Sequence, residues 1–246
     1  MKELNKLGFE IFRGSLENIN LNNKIINTLN PHSYCLAKKD SQFKEALLNS
    51  SILLPDGIGI VWADKFLNNH SVKKIAGYDL FLFLVKKLNK NKGSVFFLGS
   101  SQDTLEKIKK KLKVDYPNIR FDSYSPPFKP FFSEIESTKM CNHINSFKPD
   151  VLFVGMTAPK QEKWVYQYQN MLNVNNICSI GAVFDFYAGN IKRSSRFWIS
   201  IGLEWLPRFL KEPKRLFYRN FVSTPKFILD VFWLKFFKTN FLKNKR

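Results

Sequence analysis

The sequence has little that would staple or anchor a fold. Only three cysteines occur in 246 residues, Cys35, Cys141 and Cys178. They are far apart, odd in number and never spaced as CxxC. That argues against a disulfide framework or a thiolate zinc site, and for a reducing compartment. Histidine is as scarce: His32, His70 and His143 stand in no metal-ligand spacing. No P-loop or GxGxxG is present, and no RRM, HTH, KH or zinc-finger pattern. No uncharged apolar run approaches the ~18 residues of a spanning helix, so any membrane association is expected to be peripheral. Met1 to Arg13 carries charges at Lys2, Glu3, Lys6, Glu10 and Arg13 and lacks the apolar segment of a secretory signal. Negative charge is also in short supply, with 20 Asp and Glu against 39 Lys and Arg.

What is present is a globular composition, 44% hydrophobic and 24% charged, in a chain long enough for one sizeable core. The net charge of +19 points to a polyanionic partner: nucleic acid, an anionic membrane or a phosphorylated ligand. The charge is uneven. Residues 190–246 hold 14 Lys or Arg, 3 Asp or Glu and 13 of the 38 aromatics. This shift divides the chain into a core, residues 1–189, and a basic, aromatic C-terminal appendage, residues 190–246.

Within the core, short apolar runs alternate with amphipathic segments. Ser94–Leu98 reads as a buried strand, Gly99-Ser100-Ser101 as a turn and Gln102–Val114 as a helix. Asp150–Val154 reads as a second strand, followed by a helix from about Lys160, and Ile177–Phe184 as a third. Asp79 is placed to cap an apolar helix over Leu80–Leu88. Strand, helix, strand at this spacing predicts an α/β fold, a mostly parallel Rossmann-like sheet flanked by helices. In such sheets ligands bind at the carboxyl ends of the strands. In the appendage, Trp198–Leu210 and Pro213–Val222 read as short basic helices. Phe227–Phe237 is too short to span a bilayer and, with Lys226, Lys235 and Lys238 around it, suits an interfacial helix or one docked on the core.

Four segments carry residue types suited to chemistry. Leu53 to Gly59 sets Asp56 between an apolar run and two glycines, where a carboxylate serves either as a general base or as an ordinary Asp-Gly turn. Gly99-Ser100-Ser101, between strand and helix, offers backbone amides and a helix N-terminus to a phosphate or ribose oxygen, or is a plain connecting turn. Pro159 to Glu162 crowds polar side chains at one strand end, for a ligand or for a helix start. Phe184 to Gly189 contains Asp185, an acceptor for ribose or uracil groups or a local cap.

Taken together, these segments resemble the WecG/TagA/CpsF glycosyltransferase family. The matching pieces run in order: Thr28-Leu-Asn30-Pro31; Leu54-Pro-Asp56-Gly-Ile-Gly59; Ile75-Ala-Gly77-Tyr-Asp79; Phe97-Leu-Gly99; Lys148-Pro-Asp150 with Val154-Gly155; Ala158 to Trp164; Gly181 with Phe184 to Gly189; and Gly202-Leu-Glu204-Trp205 with Arg208, Glu212-Pro213 and Arg215-Leu216. Each alone is weak. Eight in order over residues 28 to 216 are specific.

The resemblance implies a Rossmann-like domain with a C-terminal appendage. It also implies inverting transfer of a hexose-type sugar, such as N-acetylmannosamine, from a UDP-sugar to a polyprenyl-diphosphate-linked sugar. No metal or other cofactor is implied, in keeping with the lack of a DxD motif. By the same resemblance, Asp56 is the catalytic base, and Thr28, Asn30 and Gln161 line its pocket. Gly99 and Asp185 lie near the nucleotide, and Arg208 and Arg215 complete the site. Three departures stand out. Lys74 replaces a common arginine, keeping the charge but losing the bidentate fork. Thr157 replaces a glycine. Phe217-Tyr218 interrupt an arginine-rich run before Arg219. The expected setting is bacterial cell-surface polysaccharide synthesis, on the cytoplasmic face of the membrane, as a possible homo-oligomer. The rival readings are a non-catalytic membrane-peripheral assembly factor and a nucleic-acid-binding protein.

Overall fold

The computed structural model describes residues 5–237, with backbone only for Arg196 and Ser200. The core runs β1 (Lys24–Leu29), α1 (Pro31–Ala37), α2 (Ser41–Leu48), β2 (Ile52–Pro55), α3 (Ile58–Asn68), α4 (Gly77–Lys90), β3 (Ser94–Gly99), α5 (Gln102–Asp115), β4 (Arg120–Tyr124), α6 (Glu134–Phe147), β5 (Val151–Gly155), α7 (Lys160–Tyr168), β6 (Asn176–Ser179) and α8 (Val183–Ala188). There follow α9 (Arg196–Ser200), α10 (Trp205–Lys211), α11 (Pro213–Phe217), a π-helical turn over Tyr218–Ser223 and α12 (Thr224–Phe237). The strands form one sheet in the order β2-β1-β6-β5-β3-β4, every pair parallel.

The sheet is apolar on both faces, as a parallel sheet covered by helices requires. Alternation along β3 sends Val95 and Phe97 to one side and Phe96 and Leu98 to the other. The first pair packs with Phe153 and Cys178 against Phe81, Leu84 and Val85 of α4 and Leu105, Ile108 and Leu112 of α5. The second packs with Leu152, Val154 and Ile177 against Met140, Cys141 and Ile144 of α6 and Trp164 and Val165 of α7. The buried positions of α4 and α5 recur every three or four residues, the helical period that the sequence displays.

Three expectations need correction. The run Ile177–Phe184 is not one strand: β6 ends at Ser179, the chain turns through Gly181 at φ +57°, and Asp185 lies in the first turn of α8. Asp79 is not the residue before its helix. It sits in the first turn of α4 and accepts from the Ala76 N–H at 3.2 Å, reaching back to the helix start. Trp198–Leu210 is two helices, because Gly202 adopts φ +75° after α9. There the Leu203 N–H donates to Trp198 O at 2.9 Å and the Gly202 N–H to Ile199 O at 3.2 Å, a Schellman ending.

The appendage adds no strand to the sheet. Its α12 docks through Phe227, Val231 and Leu234, which are buried with Tyr34, Leu29, Leu53, Ile60 and Ala63. The opposite face exposes Leu229, Phe232, Trp233, Phe236 and Phe237. Lys235 turns inward, donating to Phe66 O at 2.6 Å with its ammonium 5.1 Å from the Phe66 ring. Lys226 is exposed, and Lys238 lies outside the described residues.

Candidate active site

A cleft of about 1190 Å³ opens at the carboxyl ends of β1, β6, β5 and β3. Thr28, Asn30, Asp56, Gly99, Gln161, Asp185, Arg208, Arg215 and Arg219 all line it. Lys74 is not part of its lining; its ammonium pairs with Glu204, which is.

Asp56 stands where β2 ends. Its N–H donates to Leu29 O at 2.9 Å, continuing the β1–β2 ladder by one residue. Gly57 then takes φ +94°, a left-handed conformation that releases the chain into α3. The carboxylate has no hydrogen bond or ion pair among the described residues. Burial raises its pKa; Arg219, Lys74 and Arg208 oppose the rise and Glu204 adds to it.

On β1, Thr28 faces the cleft one residue before the strand ends. Asn30 caps α1: its side chain accepts from the Ser33 N–H at 3.0 Å, and its own N–H donates to Ser33 Oγ at 2.8 Å. At the end of β3, Gly99 takes φ +118°, and a Cβ there would lie 2.5 Å from Gly155 O, so the β3–β5 end admits no side chain. Ser100 is also left-handed, and Ser101 Oγ caps α5 by accepting from the Thr104 N–H at 3.3 Å. The α5 N-terminus therefore opens on the cleft.

Gln161 is a brace. Its Oε1 accepts from the N–H groups of Met156 and Gly181, each at 3.2 Å, tying the loop after β5 to the loop after β6. Its Nε2 donates to Glu162 Oε1 at 2.8 Å. Glu162 is 3% exposed, its Oε2 has no hydrogen-bond partner among the described residues, and burial pushes its pKa up to about 7. Asp185 accepts from Asn190 Nδ2 at 3.3 Å, which also donates to Thr104 Oγ1 at 2.9 Å. This links α8 to the head of α5.

The sequence matches the Glycosyl transferase WecG/TagA/CpsF family over residues 9–240. It is similar to an N-acetylglucosaminyldiphosphoundecaprenol N-acetyl-beta-D-mannosaminyltransferase of Bacillus subtilis, 33% identical over 84% of this chain and 78% of that protein. A Bacillus spizizenii protein described by the same words is 31% identical over 83% and 77%, and one from Staphylococcus aureus 30% over 81% and 76%. The chain belongs to the WecG/TagA/CpsF glycosyltransferase family.

In this glycosyltransferase residues 190–246 bring four arginines, Arg193, Arg208, Arg215 and Arg219, to the cleft, where the core adds Lys160. Arg208 of α10 is half-buried, its guanidinium 4.9 Å from the Phe186 ring centroid, and it has no carboxylate partner among the described residues. Burial and the charge of Arg219 lower its pKa, while Glu204 and Asp56 oppose this. Arg219, in the π-helical turn, also lacks an ion pair among the described residues. Arg215 pairs with Glu212 at 2.5 Å and is more than half exposed. Two arginines without carboxylate partners thus share the wall with Asp56.

The sequence assigned no role to Arg193 or Glu204, and set Glu162 only within a polar segment at one strand end. Glu162 and Glu204 stand inside the segments that carry the family resemblance, which is the signal by which they were findable. Arg193 lies outside all of them, and only the fold brings it to Asp79 at 3.0 Å.

Proposed function

We propose that this glycosyltransferase moves an N-acetylmannosamine-type or other hexose from a UDP-sugar onto a polyprenyl-diphosphate-linked acceptor, with inversion and without a metal. The acceptor class follows that of the relatives, which act on N-acetylglucosaminyldiphosphoundecaprenol. The observation that carries the reading is the meeting, in one cleft, of a carboxylate and two arginines that have no ion-pair partner among the described residues.

In an inverting displacement the acceptor hydroxyl oxygen forms a bond to the anomeric carbon. Its proton passes to Asp56, and the bond from that carbon to the diphosphate oxygen breaks, its electron pair leaving with UDP. Arg208 and Arg219 face the charge that develops on the diphosphate. Lys74 contributes less directly, since Glu204 already neutralises it. Asp185 and the Gly99-Ser100-Ser101 turn are assigned to the nucleoside end, and Thr28 and Asn30 to the sugars near the base.

We assign the exposed face of α12 to the cytoplasmic-side membrane surface, where the lipid-linked acceptor resides. Leu229, Phe232, Trp233, Phe236 and Phe237 form its apolar side, and basic residues near an anionic surface contribute about 1 kcal/mol each. No described helix is long and apolar enough to cross a membrane. The enzyme belongs by this reading to bacterial cell-surface polysaccharide synthesis.

The test is a donor screen with full-length protein, anionic micelles and a short-chain polyprenyl-diphosphate-linked N-acetylglucosamine, following UDP release. Release with one donor, abolished by Asp56→Asn, supports the reading and names the sugar. Silence with every UDP-sugar from a folded protein overturns it.

A further inference from the structure

Glu204, in the cleft wall, bridges two cations. Its Oε2 accepts from the Lys74 ammonium, and its Oε1 from Arg193 Nε at 3.5 Å. Its backbone carbonyl accepts from Ser194 Oγ at 2.7 Å. Arg193 extends the chain of contacts: Nη1 donates to Asp79 Oδ1 at 3.0 Å, and the guanidinium lies 4.9 Å from the Tyr78 ring centroid. Lys74 and Asp79 belong to the core, Arg193 and Glu204 to the appendage. The network therefore joins the two at the edge of the cleft. The side chains of Lys74, Arg193 and Glu204 are only about one-fifth exposed, so solvent screens them less than surface pairs.

Two consequences follow from placement. Glu204 precedes α10 directly, and Arg208 comes four residues later, one helical turn along. Anchoring Glu204 to Lys74 and Arg193 thus sets where Arg208 enters the cleft. Glu204 is also the acidic group whose charge opposes those of Arg219, Lys74 and Arg208 at Asp56, where all but Lys74 line the same cleft.

We propose that Glu204 is a positioning residue: it clasps Lys74 and Arg193, seats α10 with Arg208 facing Asp56, and keeps the Lys74 charge from acting unopposed on that carboxylate. This rests on the reading of Asp56 as the base. A carboxylate facing three cations with no acidic neighbour holds its charge more firmly and takes a proton less readily, so it is a weaker general base.

The experiment uses the full chain as wild type, Glu204→Gln, Lys74→Met and the double variant. The Asp56 carboxyl is titrated by NMR in protein carrying ¹³C at the aspartate carboxyl carbons, assigned with Asp56→Asn. UDP release is measured in parallel. In Glu204→Gln the Asp56 titration is expected to move down by about half a pH unit or more. UDP turnover at neutral pH should fall about tenfold, with a smaller change in donor KM. Removing Lys74 as well should move the titration back towards wild type. An unmoved Asp56 titration in Glu204→Gln overturns the proposal, as does a double variant whose shift lies no nearer wild type than that of Glu204→Gln. If Glu204→Gln does not fold, the double variant, which lacks the uncompensated lysine, is compared with Lys74→Met, and an Asp56 titration that is the same in both overturns the proposal. A titration that moves as expected in a protein that releases no UDP from any donor supports the clasp and sinks only the proposed reaction.

Discussion

At the scale of single residues, the site depends on which side chains are already occupied. Asn30 and Gln161 are committed to backbone N–H groups, whereas Asp56 has no such partner. Asp56→Asn should keep the fold and lower turnover by about 10²–10⁴, the usual loss for a general base. Steady-state UDP release checks this, and unchanged turnover would remove Asp56 from the mechanism. Because burial raises its pKa, kcat/KM should fall as pH drops through that raised value, since the base works only when ionised. Glu162 gives a stability prediction of definite sign. Its folded pKa of about 7 exceeds the ordinary 4.5, so the folded state binds more protons between those values. Stability is then greatest below the ordinary value and declines as pH rises through about 7. Glu162→Gln should flatten that decline, worth up to about 3 kcal/mol, in denaturant titrations from pH 5 to 9. An equally steep decline in the variant would show that the carboxyl is not buried as described.

At the scale of elements, α12 has a buried face that packs on the core and an exposed face that we assign to the membrane. Phe227 is fully buried, edge-on to Tyr34 with ring centroids 5.2 Å apart, so Phe227→Ala should cost about 3–5 kcal/mol in chemical denaturation. Replacing the well-exposed Leu229 and Phe236 by serine should leave stability nearly unchanged and weaken binding to anionic liposomes in a sedimentation assay. Full retention on liposomes would argue that this face meets something other than lipid. Truncation from Lys226 onward does not separate the two roles, because it removes Phe227, Val231 and Leu234 from the core. The segment after β6 makes a related point. Ile177–Phe184 is apolar but for Ser179, and an apolar run of that length does not itself distinguish a strand from a turn leading into a helix. Here Gly181 and the packing of Phe184 beneath Gly155 decide for the helix.

At the scale of the whole molecule, part of the net charge of +19 lies in the cleft, where the proposed function has arginines stabilise the leaving diphosphate without a metal. UDP release is therefore expected to persist in excess EDTA; its loss, restored by a divalent cation, would overturn the metal-free reading. The sequence alone determined the α/β architecture, because strand-length apolar runs alternating with amphipathic helices leave few other ways to bury both sheet faces. It also marked the acidic and polar residues of the cleft, through short segments whose order is specific even though each alone is weak. What only the tertiary structure decided is which charges face one another. Lys74 lies 130 residues from Glu204, and Arg193 lies 114 from Asp79. No local pattern records that Lys74 and Arg193 are paired with carboxylates while Arg208 and Arg219 have no ion pair among the described residues. Pairing of charges depends on distance in space and on the loss of solvent around them, and both arise only when the appendage closes on the sheet.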